Sequence, residues 1–130
     1  MSSQEDQLTP RGKLALQTVA MPANTNANGD IFGGWVVSHM DMAAGIEGRR
    51  RARSRVVTVA IDKLVFIEPV YVGDTVCCYA EIVKVGKTSM QIHIEVWTMG
   101  LADERMKKVA EGLFTFVAIN EERKPHPVDR

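Results

Sequence analysis

The segment from Gly33 to about Gly48 constrains the fold most, because it is the only substantial helix that the sequence predicts. At 100° per residue around a helix axis, its apolar residues cover two opposite sides: Val36, Val37, Met40, Ala43 and Ala44 on one, and Trp35, Met42 and Ile46 on the other. A helix that is apolar on nearly all sides is typical of a buried position. We therefore expect other parts of the protein to surround it.

Two polar features accompany this helix. A narrow stripe of Ser38, Asp41 and Gly45 interrupts its apolar surface, and a carboxylate in such a place is costly unless it is paired, solvated or used in chemistry. A basic cluster follows at the helix end: Arg49, Arg50, Arg51, Arg53 and Arg55. These arginines either complement the negative end of the helix dipole in solvent or bind an anionic ligand.

The other apolar segments are predicted as strands. Their ranges are 13–20, 56–66, 74–85, 89–99 and 106–119. The fourth range alternates without a break, so Met90, Ile92, Ile94 and Val96 share one face, and Gln91, His93 and Glu95 share the other. Gly112 is a candidate bulge position. One strand, one helix and four further strands predict an α+β fold, with the helix on one face of an antiparallel sheet.

The composition is that of one globular domain, and the apolar helix predicts association with a second copy. The 130 residues are 45% hydrophobic and 25% charged, which is enough for one core and no more. One sheet face cannot cover a helix that is apolar on all sides, so a second copy is expected to complete the cover. We assign residues 1–10 to a loose tail, 11–120 to the domain and 121–130 to a polar C-terminal tail.

Charge and targeting signals exclude several partners. Sixteen basic and sixteen acidic residues cancel, so the surface as a whole does not indicate binding to nucleic acid or to anionic membranes. No apolar run approaches the ~18 residues of a membrane span, and the first twelve residues lack a secretory segment, so we predict a cytoplasmic protein. Cys77 and Cys78 are neighbours on a strand and point to opposite faces, so they should not pair with each other.

Several familiar catalytic and binding motifs are missing. His39, His93 and His126 lie on different elements without metal-ligand spacing, which argues against a structural zinc site. The sequence contains neither a phosphate-binding P-loop nor the Gly-x-Ser-x-Gly motif of α/β-hydrolases. The candidate chemistry therefore lies between Asn24 and Gly45.

Gly33 and Gly34 stand where the helix begins. The first amides of a helix have no internal partner and carry the positive end of its dipole, so they either ease a turn or hold an anion or a carbonyl oxygen. Asp41 lies eight residues further on, ~12 Å along the axis at ~1.5 Å per residue. One carbonyl cannot reach both groups on the same helix, so a site that uses both must be shared between two antiparallel chains.

The sequence resembles a known enzyme family at this point. Residues 22–35, which read PANTNANGDIFGGW, and then Met40-Asp41 are similar to the hot-dog-fold acyl-CoA thioesterases, and most closely to the short bacterial YciA-type group. The resemblance extends over about residues 11–120 through four further segments: 55–62, 69–79, 85–89 and 95–97. It implies a curved antiparallel sheet wrapped around one long central helix, dimers that join their sheets edge to edge, and hexamers built from three dimers.

The same resemblance implies the chemistry. The substrate would be an acyl-CoA, which water splits into CoA and a carboxylic acid in fatty acid metabolism, with no metal or organic cofactor. Asp41 matches the family's acidic residue, either as general base or as nucleophile. Gly33 matches the residue whose N–H polarises the thioester carbonyl, and Asn28 is a candidate for orienting water or the carbonyl.

Two further expectations concern substrate binding and one position that differs from the family pattern. The candidates for contacts with the substrate, including the phosphates of CoA, are Gly34, Arg55, Lys84, Gly86, Lys87 and Thr88. Asn24 stands where members of the group often carry Asp, and we expect it to cap the loop, as Asn can do equally well.

Two other functions compete with hydrolysis. A non-catalytic acyl-CoA sensor of the same fold would not need Asp41, which is present. A dehydratase of the same architecture would need a histidine in the site, but His39 lies ~160° around the helix from Asp41 at 100° per residue. Release of thiol from acyl-CoA separates the first of these functions from hydrolysis.

Overall fold

The computed structural model describes residues 9–100 and 105–130 as one helix against a five-stranded sheet. Most of the predicted tail, residues 1–8, and most of the predicted connection between the last two strands, residues 101–104, lie outside the described residues. The elements are β1 (Lys13–Val19), α1 (Gly33–Ala52), β2 (Arg55–Phe66), β3 (Thr75–Val85), β4 (Ser89–Met99) and β5 (Lys107–Ile119), with a short 3₁₀ turn at Pro22–Asn24.

The sheet has the strand order β1-β3-β4-β5-β2, and every neighbouring pair is antiparallel. The helix follows β1 in the chain, crosses one face of the curved sheet and contacts all five strands. The predicted α+β fold with one long central helix is therefore confirmed. β1 and β2 are the two edge strands, so β2 has one side without a strand neighbour in a single chain.

Strand boundaries agree with the predicted ranges to within one residue, because alternation and turn residues mark both ends of each strand. The helix is longer than predicted: it continues past Gly48 to Ala52 and ends at Arg53, which has a left-handed backbone with φ of 55°. The three arginines from Arg49 to Arg51 are good helix formers and complement the negative end of the dipole, so they extend the helix.

The two apolar sides of α1 have different surroundings. Val36, Met40, Ala43 and Ala44 are buried against the sheet. Met42 and Ile46, on the opposite side, have exposed fractions of 48% and 36%. One chain therefore covers only half of the apolar helix.

β4 forms the centre of the core. Its inward residues Met90, Ile92, Ile94 and Val96 have no exposed surface, which confirms the predicted alternation. On the opposite face of β4, Glu95 is also buried, with 1% of its surface exposed. Trp97 Nε1 donates to Glu95 Oε1 over 2.9 Å, and Lys108 Nζ lies 3.4 Å from Glu95 Oε2.

Gly112 lies opposite a bulge rather than within one. It is in register with Ile94 of β4, while the neighbouring strand β2 carries the irregularity between Asp62 and Val65. A Cβ at position 112 would lie 3.3 Å from Leu64 Cδ1, within the bulged segment. The glycine therefore makes room for the side chains that the bulge turns inward.

The predicted C-terminal tail is wrong, because residues 121–130 pack on the domain. The Val128 amide donates to Lys87 O over 2.8 Å, and the Val128 side chain is buried. Arg51 pairs with Asp129 over 2.7 Å. Backbone bonds and one valine hold a segment whose polar composition suggested a tail.

Both cysteines are free and buried, as predicted for neighbours on a strand. Burial raises the pKa of the Cys78 thiol to about 12 and also raises that of Cys77, so neither thiol is a candidate nucleophile. Within the described ranges, no helix is long and apolar enough to cross a membrane.

Candidate active site

Asp41 lies on the part of α1 that faces the edge strand β2. The Thr58 hydroxyl donates to Asp41 Oδ1 over 2.7 Å, so a β2 side chain fixes one carboxylate oxygen. Asp41 is half-buried, and its Oδ2 has no donor among the residues that the structure describes. The carboxylate is therefore oriented on one side and open on the other.

The N-terminus of α1 offers free backbone donors. No side chain caps the helix at Phe32, and the Trp35 amide already donates to Phe32 O over 3.1 Å. The amides of Gly33 and Gly34 donate to no acceptor within residues 9–100 and 105–130. These two donors at the positive end of the dipole can polarise a carbonyl oxygen.

A cavity of about 340 Å³ opens beside Gly33. Its wall combines apolar side chains with two carboxylates: Asn26, Asp30, Ile31, Val36, Phe66, Ile67, Glu68, Pro69, Val70 and Val109 line it with Gly33. A Cβ at position 33 would lie 3.4 Å from the Phe66 ring, so the glycine keeps the passage between ring and helix open. An acyl or pantetheine chain could lie in this space.

A single chain does not bring Gly33 and Asp41 together. Eight residues of one straight helix separate them, ~12 Å along its axis, and Asp41 does not line the cavity beside Gly33. The geometry agrees with the expectation that a site using both groups needs two chains.

The loop before α1 is held by its own side chains. Asn26 Oδ1 accepts hydrogen bonds from the Asn28 and Asp30 amides over 2.9 and 3.2 Å. Asn24 Oδ1 accepts one from the Met21 amide over 3.3 Å, which supports the capping role expected of Asn24. Asn28 is exposed and does not line the Gly33 cavity.

The candidate substrate-binding residues fall into separate groups. Arg55 lines a second pocket of about 300 Å³ with Arg49 and Arg123. Three candidates, Gly86, Lys87 and Thr88, form the hairpin between β3 and β4, and Lys84 lies near the end of β3. The hairpin does not line this pocket, but Thr88 O accepts from the Ala118 amide over 2.9 Å, next to the Ile119 of the pocket wall.

His39 does not share the surroundings of Asp41. Its ring lies 4.0 Å from the Trp35 ring, and its Nδ1 is 2.8 Å from Trp35 O. The histidine therefore packs along its own helix, toward its N-terminus. This arrangement agrees with the argument against a dehydratase.

The outer face of the sheet carries the only cluster of three metal-type ligands among the described residues: His93, Glu95 and Glu111. Lys108 Nζ lies 3.4 Å from Glu95 Oε2 and 3.1 Å from Glu111 Oε1. An ammonium group thus already occupies the position where a cation would neutralise these carboxylates. The donor set fits a buried ion-pair network better than a metal site.

Sequence reasoning missed two residues of these sites. In the sequence, Thr58 is one residue of an apolar strand. Its contact with Asp41 is visible only in the structure, where β2 packs beside the helix. Arg123 lies in the segment predicted as a tail, and no motif marks it. Thr58 gave no local signal either, because its partner on α1 lies 17 residues away in the sequence and an exposed hydroxyl can also bond to water.

Comparison with known proteins adds the family. The model of the Thioesterase superfamily matches residues 28–102. The acyl-CoA thioester hydrolase YciA of Salmonella typhimurium is 51% identical over 123 residues, which cover 92% of each chain. The hexameric thioesterase y2039 of Yersinia pestis has 47% identity and a TM-score of 0.90, covering 94% of this chain and 99% of that one.

A solved structure described as a hexameric broad specificity acyl-coenzyme A thioesterase is also similar. It has 42% identity and a TM-score of 0.90, covering 99% of this chain and 89% of that one. These likenesses extend over nearly the whole chain, so the matched region spans α1 and the five strands. The chain therefore belongs to the hot-dog Thioesterase superfamily and, within it, to the group of the YciA acyl-CoA thioester hydrolases.

Proposed function

We propose that this protein is an acyl-CoA thioesterase, which hydrolyses acyl-CoA to CoA and a carboxylic acid. The observation that carries the proposal is the Asp41 carboxylate, which Thr58 orients over 2.7 Å on the open side of α1. Relatives that cover nearly the whole chain are named acyl-CoA thioester hydrolases. A non-catalytic sensor would not need an oriented carboxylate in this place.

The site is proposed to form between two chains. Two α1 helices that run antiparallel across a dimer bring Gly33 of one chain close to Asp41 of the other, which a single helix cannot do. The surfaces that would meet are apolar and uncovered in one chain: Met42, Ile46, Val59, Ile61, Val65 and Phe66. We propose a dimer in which the β2 edges pair, and three such dimers in a hexamer, as the solved relatives are hexameric.

Two routes give the same products. In the first, Asp41 takes a proton from water, the water oxygen bonds the thioester carbonyl carbon, and the carbon–sulfur bond breaks to release the CoA thiolate, which is then protonated. In the second, an Asp41 oxygen bonds the carbonyl carbon and expels the thiolate, and water then hydrolyses the mixed anhydride. In both, the Gly33 N–H donates to the carbonyl oxygen as negative charge develops on it.

The remaining assignments are also proposals. Asn28, exposed in the loop before α1, orients water or the carbonyl. Water and a carboxylate suffice for thioester hydrolysis, so the proposed reaction uses no metal or organic cofactor, and CoA enters only as part of the substrate. A cytoplasmic location is supported by the substrate class and by two free, buried thiols.

Substitution of Asp41 by Asn tests the proposal. The side chain is nearly isosteric and still accepts from Thr58, so packing survives, but it can neither remove a proton from water nor attack as a carboxylate. We expect kcat for release of CoA thiol to fall roughly 10²–10⁴-fold, the usual worth of a positioned general base. The measurement is a chromogenic thiol assay on a short and a long acyl-CoA, with a melting curve.

Asp62→Asn is the matched control, because Asp62 is an exposed carboxylate on the same edge strand. It should leave kcat unchanged. A wild-type protein that releases no thiol from either substrate would overturn the proposed function. An Asp41→Asn variant that keeps kcat within a few-fold of the parent on both would show that Asp41 is structural.

A further inference from the structure

The cavity beside Gly33 combines an apolar wall with negative charge. Its volume of about 340 Å³ is at the lower end of the roughly 300–1,000 Å³ of ligand pockets. Four of its lining residues are buried and apolar: Ile31, Val36, Val70 and Val109. Asp30 and Glu68 are its charged lining residues, and no lysine, arginine or histidine of the described ranges lines it. A ligand in this cavity therefore contacts apolar surface and two carboxylates.

The charges of these two carboxylates are not equally balanced. Glu68 Oε2 lies 3.3 Å from Lys107 Nζ, outside the cavity lining, so part of the Glu68 charge is neutralised. The half-buried Asp30 is held by its backbone, since its amide donates to Asn26 Oδ1 over 3.2 Å. Across residues 9–100 and 105–130, no donor or cation contacts the Asp30 carboxylate. Asp30 is therefore the main source of uncompensated negative charge in the wall.

The position of Gly33 decides which part of a thioester can enter the cavity. Gly33 lines it, and its free amide is the proposed donor to the thioester carbonyl. The carbonyl carbon carries two substituents, the acyl chain and the sulfur of the pantetheine arm. Because the arm leads to the phosphates of CoA, a negatively charged wall disfavours it electrostatically. The acyl chain is the substituent that fits this cavity.

We propose that Asp30, assisted by Glu68, makes the enzyme select neutral acyl groups and reject acyl groups that end in a carboxylate. This inference rests on the proposed function and names its substrate class, the CoA thioesters of monocarboxylic acids. A second carboxylate on the acyl chain would lose its water in the cavity, gain no cation and face like charge. Repulsion of the wrong ligand is a common source of specificity.

The experiment compares kcat/KM on glutaryl-CoA and on its monomethyl ester, which keeps the acyl chain and removes the charge. We expect the wild-type protein to prefer the ester by about tenfold or more, because like charges repel at this distance. Asp30→Asn keeps the shape of the side chain and should reduce this preference severalfold, by raising kcat/KM on glutaryl-CoA alone. The double variant Asp30→Asn, Glu68→Gln should reduce it further.

Asp62→Asn is the matched control, because it removes the same charge from a residue of β2 that does not line the cavity. It should keep the wild-type preference. Melting curves identify any variant that does not fold, and the wild-type ratio tests the inference without a substitution.

Three results would overturn the inference. The first is a wild-type protein that hydrolyses glutaryl-CoA as well as its ester. The second is an Asp30→Asn variant that folds and keeps the wild-type ratio. The third is an equal change on both substrates, which would mean that the cavity holds the pantetheine arm instead of the acyl chain.

Failure of the proposed function has a different signature. A wild-type protein that releases thiol from neither compound is not a thioesterase, and calorimetry with the same two intact compounds then tests the cavity alone. Binding of the ester about tenfold tighter than glutaryl-CoA, with the difference lost in Asp30→Asn, would support discrimination by charge. Equal affinities for the two compounds would overturn it.

Discussion

At the scale of single residues, the contact between Thr58 and Asp41 joins the two elements that the proposed dimer would also use. Thr58 lies on β2 and Asp41 on α1, and one hydrogen bond of 2.7 Å connects them. The threonine is therefore a positioning residue, since it acts on the substrate only through the carboxylate.

Replacement of Thr58 by Val removes the donor and keeps the shape of the side chain. We expect kcat for acyl-CoA hydrolysis to fall about tenfold, with KM nearly unchanged, because the carboxylate loses its fixed orientation. Steady-state kinetics on one acyl-CoA measure both constants.

Thr58→Ser restores the hydroxyl and is the control, so it should recover most of kcat. A Val variant with wild-type kcat, or a Ser variant as slow as Val, would contradict the positioning role. Together, the Val and Ser variants distinguish the effect of the hydroxyl from the effect of side-chain packing at the β2 edge.

Residue identities alone predicted some contacts and not others. Asp41 was identifiable because a carboxylate in an apolar helix is conspicuous, and Asn24 because amides commonly cap turns. Thr58 and Arg123 were not, because their roles depend on which elements the fold places side by side. A residue whose neighbours are distant in sequence gives no local signal.

At the scale of elements, the C-terminal segment links parts of the protein that bear the candidate binding residues. The Val128 amide bonds to Lys87 O in the β3–β4 hairpin, Asp129 pairs with Arg51 on α1, and the turn before it carries Arg123. The segment contacts a hairpin and the end of the helix and contributes a residue to a pocket wall, so it is an integral part of the domain.

Val128→Asp is expected to destabilise the protein, because an unpaired carboxylate would replace a buried valine. The change forfeits roughly 1.5–3 kcal/mol of burial and adds a desolvation cost. The midpoint of thermal unfolding should drop by at least several degrees, measured at one fixed protein concentration because association shifts the midpoint.

Glu121→Ala is the matched control in the same segment, because Glu121 is exposed, and it should leave the midpoint within about a degree. If Val128→Asp melts together with the parent, residues 121–130 are a tail after all. Loss of stability in both variants would mean that the turn, rather than the valine, holds the segment.

The strands were predictable and the ends of the chain were not, for one physical reason. Alternation in β4 reports burial of every second side chain directly. The packing of residues 121–130 depends mostly on backbone hydrogen bonds, which any sequence can make, and the helix extension depends on arginines that also suit a surface loop. The residue pattern therefore predicts the strands better than it predicts the C-terminal segment and the end of the helix.

At the scale of the whole molecule, the surface of one chain has uncovered apolar faces. Met42 and Ile46 on α1 lie on the side away from the sheet, and Val59, Ile61 and Phe66 lie on the edge strand β2. Contiguous apolar patches of this kind mark protein–protein contacts. Under the proposed assembly, a second copy would cover these faces.

Light scattering at micromolar concentration should give a mass that is a multiple of 14.4 kDa, with no stable monomer. Ile61→Lys places a charge on the β2 edge, and we expect it to shift the protein toward monomer and to abolish turnover together, because the site needs two chains. Lys63→Gln, an exposed change nearby, is the control and should keep the mass.

A wild-type monomer would contradict both the assembly and the shared site. An Ile61→Lys variant that is monomeric yet fully active would contradict the shared site alone. Sedimentation velocity with an activity assay on the fractions distinguishes these two results. If the site spans two chains, activity must be found only in the fractions that contain the oligomer.

The placement of Gly33 and Asp41 at opposite ends of a stretch of ~12 Å along one helix has a genetic consequence under the shared-site proposal. A chain defective at Asp41 still lends its intact amide to a neighbour, so a normal chain in a mixed assembly keeps the carboxylate of its own site and receives a working donor. Activity in a cell that makes both kinds of chain would decline in proportion to the defective share. Such a mutation would therefore behave as recessive, even though each proposed site needs two chains.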